Sequence, residues 1–219
     1  MEALQKMWTI TLQLRGGIAN TMSIFALTLL FSLPLGLFVC FGRMTKIKPI
    51  RWLTTFYISV MRGTPLMLQL LVVFFGRYYL FRLPLWPRFT AVIVAFSINY
   101  AAYFAEIYRG GIQSMPAGQY EAAKVLGYGR VQTFVKIILP QVFKRILPSI
   151  TNEVITLVKD TSLAFSIAYV EMFTQAKMIA AARTSMMPFV VAGVFYYIFN
   201  YLVMWIMDTI EKKLGYYSA

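Results

Sequence analysis

The chain has 219 residues, 59% of them hydrophobic, a formal net charge of +13 and a mean hydropathy of +0.66. Its apolar residues fall in runs of about twenty, the length that crosses ~30 Å of hydrocarbon as a helix, which excludes a soluble domain. No period-two alternation marks a spanning barrel, the basic residues flank the apolar runs instead of forming a nucleic-acid patch, and a lone Cys40 without any histidine excludes a disulfide framework or a Cys/His metal cluster.

Taken in order, residues 1–16, with Trp8, Leu12 and Leu14 among polar positions, are expected as a short extracytoplasmic or interfacial segment. Gly16-Gly17 then loosens the chain. The first apolar run is long and lacks a small-residue cleavage pattern, so no removable leader is expected. A first span runs from about Ile18 to Phe41, with a kink at Pro34 and Gly36. A basic turn with Arg43, Lys46, Lys48 and Arg51 follows. Trp52 to Leu80 is too long for one simple crossing and is interrupted by Arg62-Gly63-Thr64-Pro65. Either Trp52 to Met61 lies in the interface, or one helix is broken within the membrane. Pro65 suits a first helical turn. A third span is expected at about Phe89 to Tyr108, a long basic loop to about Pro148, a fourth span from Ile150 to Phe173 and a fifth from Met187 to Met207. Residues 215–219 form a tail. No internal repeat is visible.

Five spans put the termini on opposite sides. With the central loop inside, the inner segments carry twelve basic residues and the outer segments seven. That bias places the central loop and the C-terminus in the cytoplasm and the N-terminus outside.

The central loop holds Glu121-Ala122-Ala123, then three residues, Gly127, nine residues, Ile137, one residue and Leu139-Pro140. Pro116 and Gly118 break the preceding helix, and Gln119 to Leu126 is long enough for about two helical turns. Glu121 is expected in the first turn, where the positive helix end favours a carboxylate. Ala122 and Ala123 add little bulk, so the helix can sink into a partner's cleft. Gly127 can take the left-handed conformation that ends a helix.

The fourth span carries Glu153, Lys159 and Asp160, with Asn152, Thr156, Thr161 and Ser162 nearby. An ionisable group at bilayer depth costs several kcal/mol unless it is paired or faces water, so it marks a pathway. Glu153 and Asp160 are seven residues apart and share a helix face. Asn99, with Tyr100 and Tyr103, can complete a cavity from the third span. Carboxylates suit an amino acid's ammonium; the hydroxyls of Thr161 and Ser162, or amides freed by an opened turn around Lys159 to Ser162, suit its carboxylate. Two carboxylates favour a substrate with an extra positive charge. The same charges also suit a structural Lys159–Asp160 or interhelical ion pair. Arg62 either snorkels to the interface or caps a neighbouring helix, and Glu106 is expected to pair with Arg109. No phosphate loop, nucleophile elbow or metal-ligand spacing is present, so any ATP is bound by another chain.

The loop motif resembles the EAA loop of ABC-importer permeases. Arg62-Gly63-Thr64-Pro65-Leu66 with Gln69, Tyr103 to Ile112 and Lys159-Asp160-Thr161-Ser162-Leu163 narrow the resemblance to permeases for polar amino acids of the histidine, glutamine and arginine type. The resemblance spans about Gly16 to Leu214. It implies an all-α membrane protein with five transmembrane helices, the type I importer permease fold over residues 17–214, and a short cytoplasmic coupling helix within about 115–140. From the residues themselves, no catalytic or metal-ligand set is expected in this chain, and substrate contacts are expected from Asn99, Glu153, Lys159, Asp160, Thr161 and Ser162. The resemblance implies ATPase coupling through Glu121, Ala122, Ala123 and Gly127. The expected partners are a second permease subunit of the same sequence, two ATPase subunits holding ATP and Mg, an extracytoplasmic solute-binding protein and a polar, basic amino acid, in a bacterial inner membrane. An ion-gradient-driven carrier or channel, and an assembly subunit without a substrate path, are the rival readings.

Overall fold

The computed structural model describes residues 1–214; the expected tail lies outside the described residues. Among those residues there is helix and connecting chain, and no strand. The helices are α1 (Glu2–Met44), α2 (Lys48–Gly63), α3 (Leu66–Phe81), α4 (Arg88–Gln113), α5 (Ala117–Val125), α6 (Arg130–Thr133), α7 (Leu139–Asp160), α8 (Met172–Arg183) and α9 (Met187–Leu214).

The break expected at Gly16-Gly17 is absent. α1 runs unbroken for 43 residues, about 64 Å, twice what a hydrocarbon core requires. Its first turns are no separate segment: Ile10 and Leu14 are buried against Met172, Ala176, Val191 and Ala192 of α8 and α9. Gly17 allows that approach, since a Cβ there would lie 2.8 Å from Met172 Cα and 3.0 Å from Glu171 C.

α4 is the axis of the bundle. Residues are buried around most of its circumference, as befits a helix surrounded by others in a membrane protein. α1 lies along it where Gly36 faces Ala101 and Phe104, small residues allowing close approach of the two backbones. Three helices, α1, α4 and α9, are long and apolar enough to cross a membrane. α2 and α3 pass that test only as a pair, bent by 112° at Arg62–Pro65. Both expectations for this stretch hold part of the truth: α2 is a separate amphipathic helix, and the break sits at the depth of Asn99, in the middle of α4.

The loop expected to reach Pro148 is mostly helix. From Arg130 to Asp160 the chain stays helical through α6, a π-helical turn at Phe134–Ile138, and α7. Pro140 explains the π turn, because its ring would clash with a carbonyl of the preceding α turn and it has no N–H to give. Leu139 N–H instead reaches back to Phe134 O. α7 buries Val142, Ile146, Ile150, Val154 and Leu157 on one face. Its other face leaves Asn152, Thr156 and Lys159 exposed, which is why it fails an apolar-span test although it runs beside α4 from Gly111 to Tyr100.

The fourth span is also shorter than expected. At Thr161 the α-helix tightens into a 3-10 helix, Thr161–Ile167, which ends at Ala168 in the left-handed conformation. α8 then starts at Met172, capped by Glu171.

Candidate functional site

Consecutive residues of α4 hold two interrupted helices at the same depth. Asn99 is buried, and its amide donates to Met61 O (3.1 Å) and Gln69 Oε1 (2.9 Å). Gln69 in turn donates to Met61 O, Thr64 O and Thr64 Oγ1. Carbonyls left open where α2 stops are thereby satisfied, which a helix end inside a membrane demands. Tyr100 donates its hydroxyl to Asp160 Oδ2 at 2.8 Å, where α7 gives way to the 3-10 turn.

These bonds redistribute the expected site. Asn99 spends both amide hydrogens on the α2–α3 break and Asp160 is held by Tyr100. Thr161 is fully buried, with its hydroxyl on Val158 O (2.7 Å), and Ser162 donates to Lys159 O (2.8 Å). The turn is tightened, not opened, and Thr161 N–H is itself bonded to a helix carbonyl. Lys159 is exposed and makes no ion pair with Asp160 among the described residues.

Glu153 lies elsewhere. It lines a cleft of about 440 Å³ beside α4 and α7, together with Arg62, Tyr103, Glu106, Ser114, Arg145 and Ser149. Several of these charges are already engaged. Arg109 clasps Glu106, as expected, through Nη2 to Oε2 at 2.6 Å and Nε to both oxygens at 3.1 Å, with Arg43 Nε 3.7 Å away. Arg145 donates to Ser114 O at 2.6 Å. Glu153 accepts no hydrogen bond among the described residues, and the Arg62 guanidinium sits 5.3 Å over the Tyr103 ring. The cleft therefore holds a half-buried carboxylate without a hydrogen bond or ion pair among the described residues, and a guanidinium held on an aromatic face.

At the far end of the α6–α7 rod, α5 shows how its sequence ends a helix. Gly127 has φ +80°, its N–H meets Lys124 O (3.1 Å), and Tyr128 N–H meets Ala123 O (3.0 Å), the paired bonds of a Schellman motif. The helix begins at Ala117, so Glu121 falls in its second turn, not the first, and the helix-end argument for its charge does not apply. Glu121 and Ala122 are exposed, and Val125 and Leu126 present an apolar end at 88% and 71% exposure. Ala123 is buried against its own chain.

Sequence reasoning missed a third cluster, around Glu171. This fully buried carboxylate accepts from Phe173 N and Thr174 N (both 2.7 Å), Thr174 Oγ1 and Tyr196 Oη. Thr21 Oγ1 takes Met172 N–H, and Gln175 reaches Gln13 O, so α8 is stitched to α1 and α9. The available signal was Glu171 three residues before Thr174, an acid placed to cap a helix.

The central helix of the bundle thus anchors two interrupted helices, and a helical run leads from one of them to the exposed helix α5. The chain matches the family described as binding-protein-dependent transport system inner membrane component over residues 32–216 and belongs to it. It is 37% identical to the L-cystine transport system permease protein TcyB of Bacillus subtilis over 98% of this chain and 91% of that one. It is likewise 37% identical to the arginine transport system permease protein ArtQ of the same organism, over 90% of each. In a crystal structure of an amino acid ABC transporter with histidines, one chain superposes with a TM-score of 0.88 at 32% identity, covering 95% of this chain and 97% of that one. A chain of the MetNI methionine ABC transporter shares the fold at a TM-score of 0.72 and 19% identity. The resemblance carried by the EAA loop thus holds: this is a multi-pass permease subunit of an ABC importer with the type I fold.

Proposed function

We propose that this chain carries polar α-amino acids inward as one of a pair of identical permeases, with two ATPase subunits and an extracytoplasmic solute-binding protein. The observation that carries the substrate class is the cleft between α4 and α7, where the Glu153 carboxylate has no hydrogen bond or ion pair among the described residues and the Arg62 guanidinium lies over the Tyr103 ring. They complement the ammonium and carboxylate of a zwitterion. The open polar face of α7 supports the same reading, because at bilayer depth Asn152, Thr156 and Lys159 need water or another protein beside them. Asp160 is held by Tyr100, so the case for an extra positive charge on the substrate rests on Glu153 alone. Asn99, Asp160, Thr161 and Ser162 act by shaping the two helix breaks.

ATP and Mg are bound by the ATPase, which receives α5 through Glu121, Ala122, Val125 and Leu126, while Ala123 packs α5 onto its own chain and Gly127 fixes its end. The α5 end and the C-terminus lie in the cytoplasm, and the N-terminus outside. The test is uptake of radiolabelled arginine, histidine, lysine, glutamine and cystine by proteoliposomes holding the permease and its ATPase, for the parent and Glu153→Ala. ATP-dependent accumulation, with apparent affinity lowered at least about tenfold by Glu153→Ala, is expected for a lost charge-assisted contact. Accumulation driven by an ion gradient without the ATPase would establish the carrier reading instead.

A further inference from the structure

Between Glu2 and Glu106 the sequence holds ten Lys or Arg residues and no Asp or Glu. Arg43 approaches the carboxylate of Glu106. Three others, Lys46, Lys48 and Arg51, crowd the turn from α1 into α2, at the end of the bundle that also carries α5. All three are exposed, and none of their charged groups makes a hydrogen bond or ion pair among the described residues.

The apolar side chains next to them face outward. In α2 only Ile58 is buried, while Ile50, Trp52, Leu53 and Phe56 are 44%, 69%, 61% and 57% exposed. Trp52 and Phe56 stack, with ring centres 5.9 Å apart and planes 10° from parallel. α2 rises obliquely: Thr54 lies against Gly42 near the end of α1, and Met61 reaches the depth of Asn99. Its first turns therefore sit where hydrocarbon meets headgroups, with cations at the rim and stacked aromatic rings just beneath. A tryptophan prefers that level, and adjacent cations attract anionic headgroups.

We propose that this elbow, Lys46, Lys48 and Arg51 above Trp52 and Phe56, is a binding surface for anionic phospholipid. The headgroup phosphate meets the three cations, and an acyl chain lies along the aromatic pair. An acidic protein surface would satisfy the charges equally. Trp52 and Phe56, displayed without a groove to receive a side chain, favour lipid. The surface needs the chain to be membrane-embedded but does not depend on which solute it carries.

The test uses the full chain with Trp52 as its only tryptophan (W8F/W86F/W205F), reconstituted in vesicles of phosphatidylcholine. Brominated phosphatidylglycerol or brominated phosphatidylcholine is added as the quencher. Trp52 should be quenched by the anionic lipid with at least about a fivefold preference, the effect of one well-placed cation. The preference should fall to within about twofold in K46Q/K48Q/R51Q and persist in K46R/K48R/R51K. Equal quenching by both lipids, or a preference that survives the glutamine substitutions, would overturn the proposal. So would protection of Trp52 from both lipids in the complex with the ATPase, which would show a protein covering the face. Uptake measured on the same vesicles reports separately on the import reading.

Discussion

Gly17→Ala tests the packing of α8 on α1 with one methyl group. That carbon would lie 2.6 Å from Gln175 Oε1, 2.8 Å from Met172 Cα and 3.0 Å from Glu171 C, where ordinary contacts fall at 3.4–4 Å. Moving the glutamine would give up its bonds with Gly17 N–H and Gln13 O, and the two main-chain atoms cannot move alone, so the start of α8 must recede by about 0.6 Å. Forcing a methyl into such a contact costs about 1–3 kcal/mol. Gly16→Ala is the internal control. A methyl there would meet Gln175 Oε1 at an ordinary 3.8 Å. Both substitutions gain about 1 kcal/mol of helix propensity, so the difference between them isolates the collision. At about 2–4 °C per kcal/mol for a chain of this size, Gly17→Ala should melt roughly 2–12 °C below Gly16→Ala. The assay is thermal unfolding in one detergent, followed by far-ultraviolet circular dichroism. Equal midpoints, or a higher one for Gly17→Ala, would refute the close approach of α1 to α8.

Glu171→Ala removes the acceptor for two backbone amides and two hydroxyls at once, and should cost about 2 kcal/mol or more, against about 1 kcal/mol for Tyr196→Phe, which removes one of those donors. A melt in which the two variants match would show that the carboxylate does not organise the start of α8. Gly127 has φ +80° with open space where a Cβ would go, so strain alone decides the outcome there. Gly127→Val should cost about 1–2 kcal/mol and abolish substrate-stimulated ATP hydrolysis while membrane insertion persists, and Gly127→Asn should stay near the parent. Normal coupled uptake in the valine variant would remove Gly127 from the coupling role.

The α5 end was legible because it is local. A glycine after an amphipathic turn needs nothing distant to adopt the left-handed conformation, and the Schellman bonds follow from it. The Glu106–Arg109 clasp was legible for the same reason, three residues apart on one helix. Elements decided by tertiary packing were not. Gly16-Gly17 reads as a loosening of the chain from propensity, yet Gly17 is where the absence of a side chain lets α1 approach the backbone at the start of α8. Pro140 and Pro148 read as the edge of a loop, but burial of Val142, Ile146 and Ile150 keeps the helix going through both, with a π turn taking up the first. Asn99 and Asp160 stand out in the sequence as polar groups inside apolar runs. Their partners, Met61, Gln69 and Tyr100, lie 30 to 60 residues away in sequence, and no spacing rule connects them. Glu171 escaped notice because it was read as the end of a span.

The helical run from Arg130 to Asp160 has a mechanical consequence. Residues 126–129 turn the chain out of α5, and from Arg130 the helical run continues without irregular chain to the carboxylate held by Tyr100, forming a single beam. Thirty-one residues give that beam a length of about 45 Å, and a pivot of about 5° at one end displaces the other by ~4 Å. The π turn adds one residue near the start of the beam, so it sets the azimuth at which α5 is presented: deleting one residue there would swing α5 by roughly 100° around the beam while leaving its length almost unchanged.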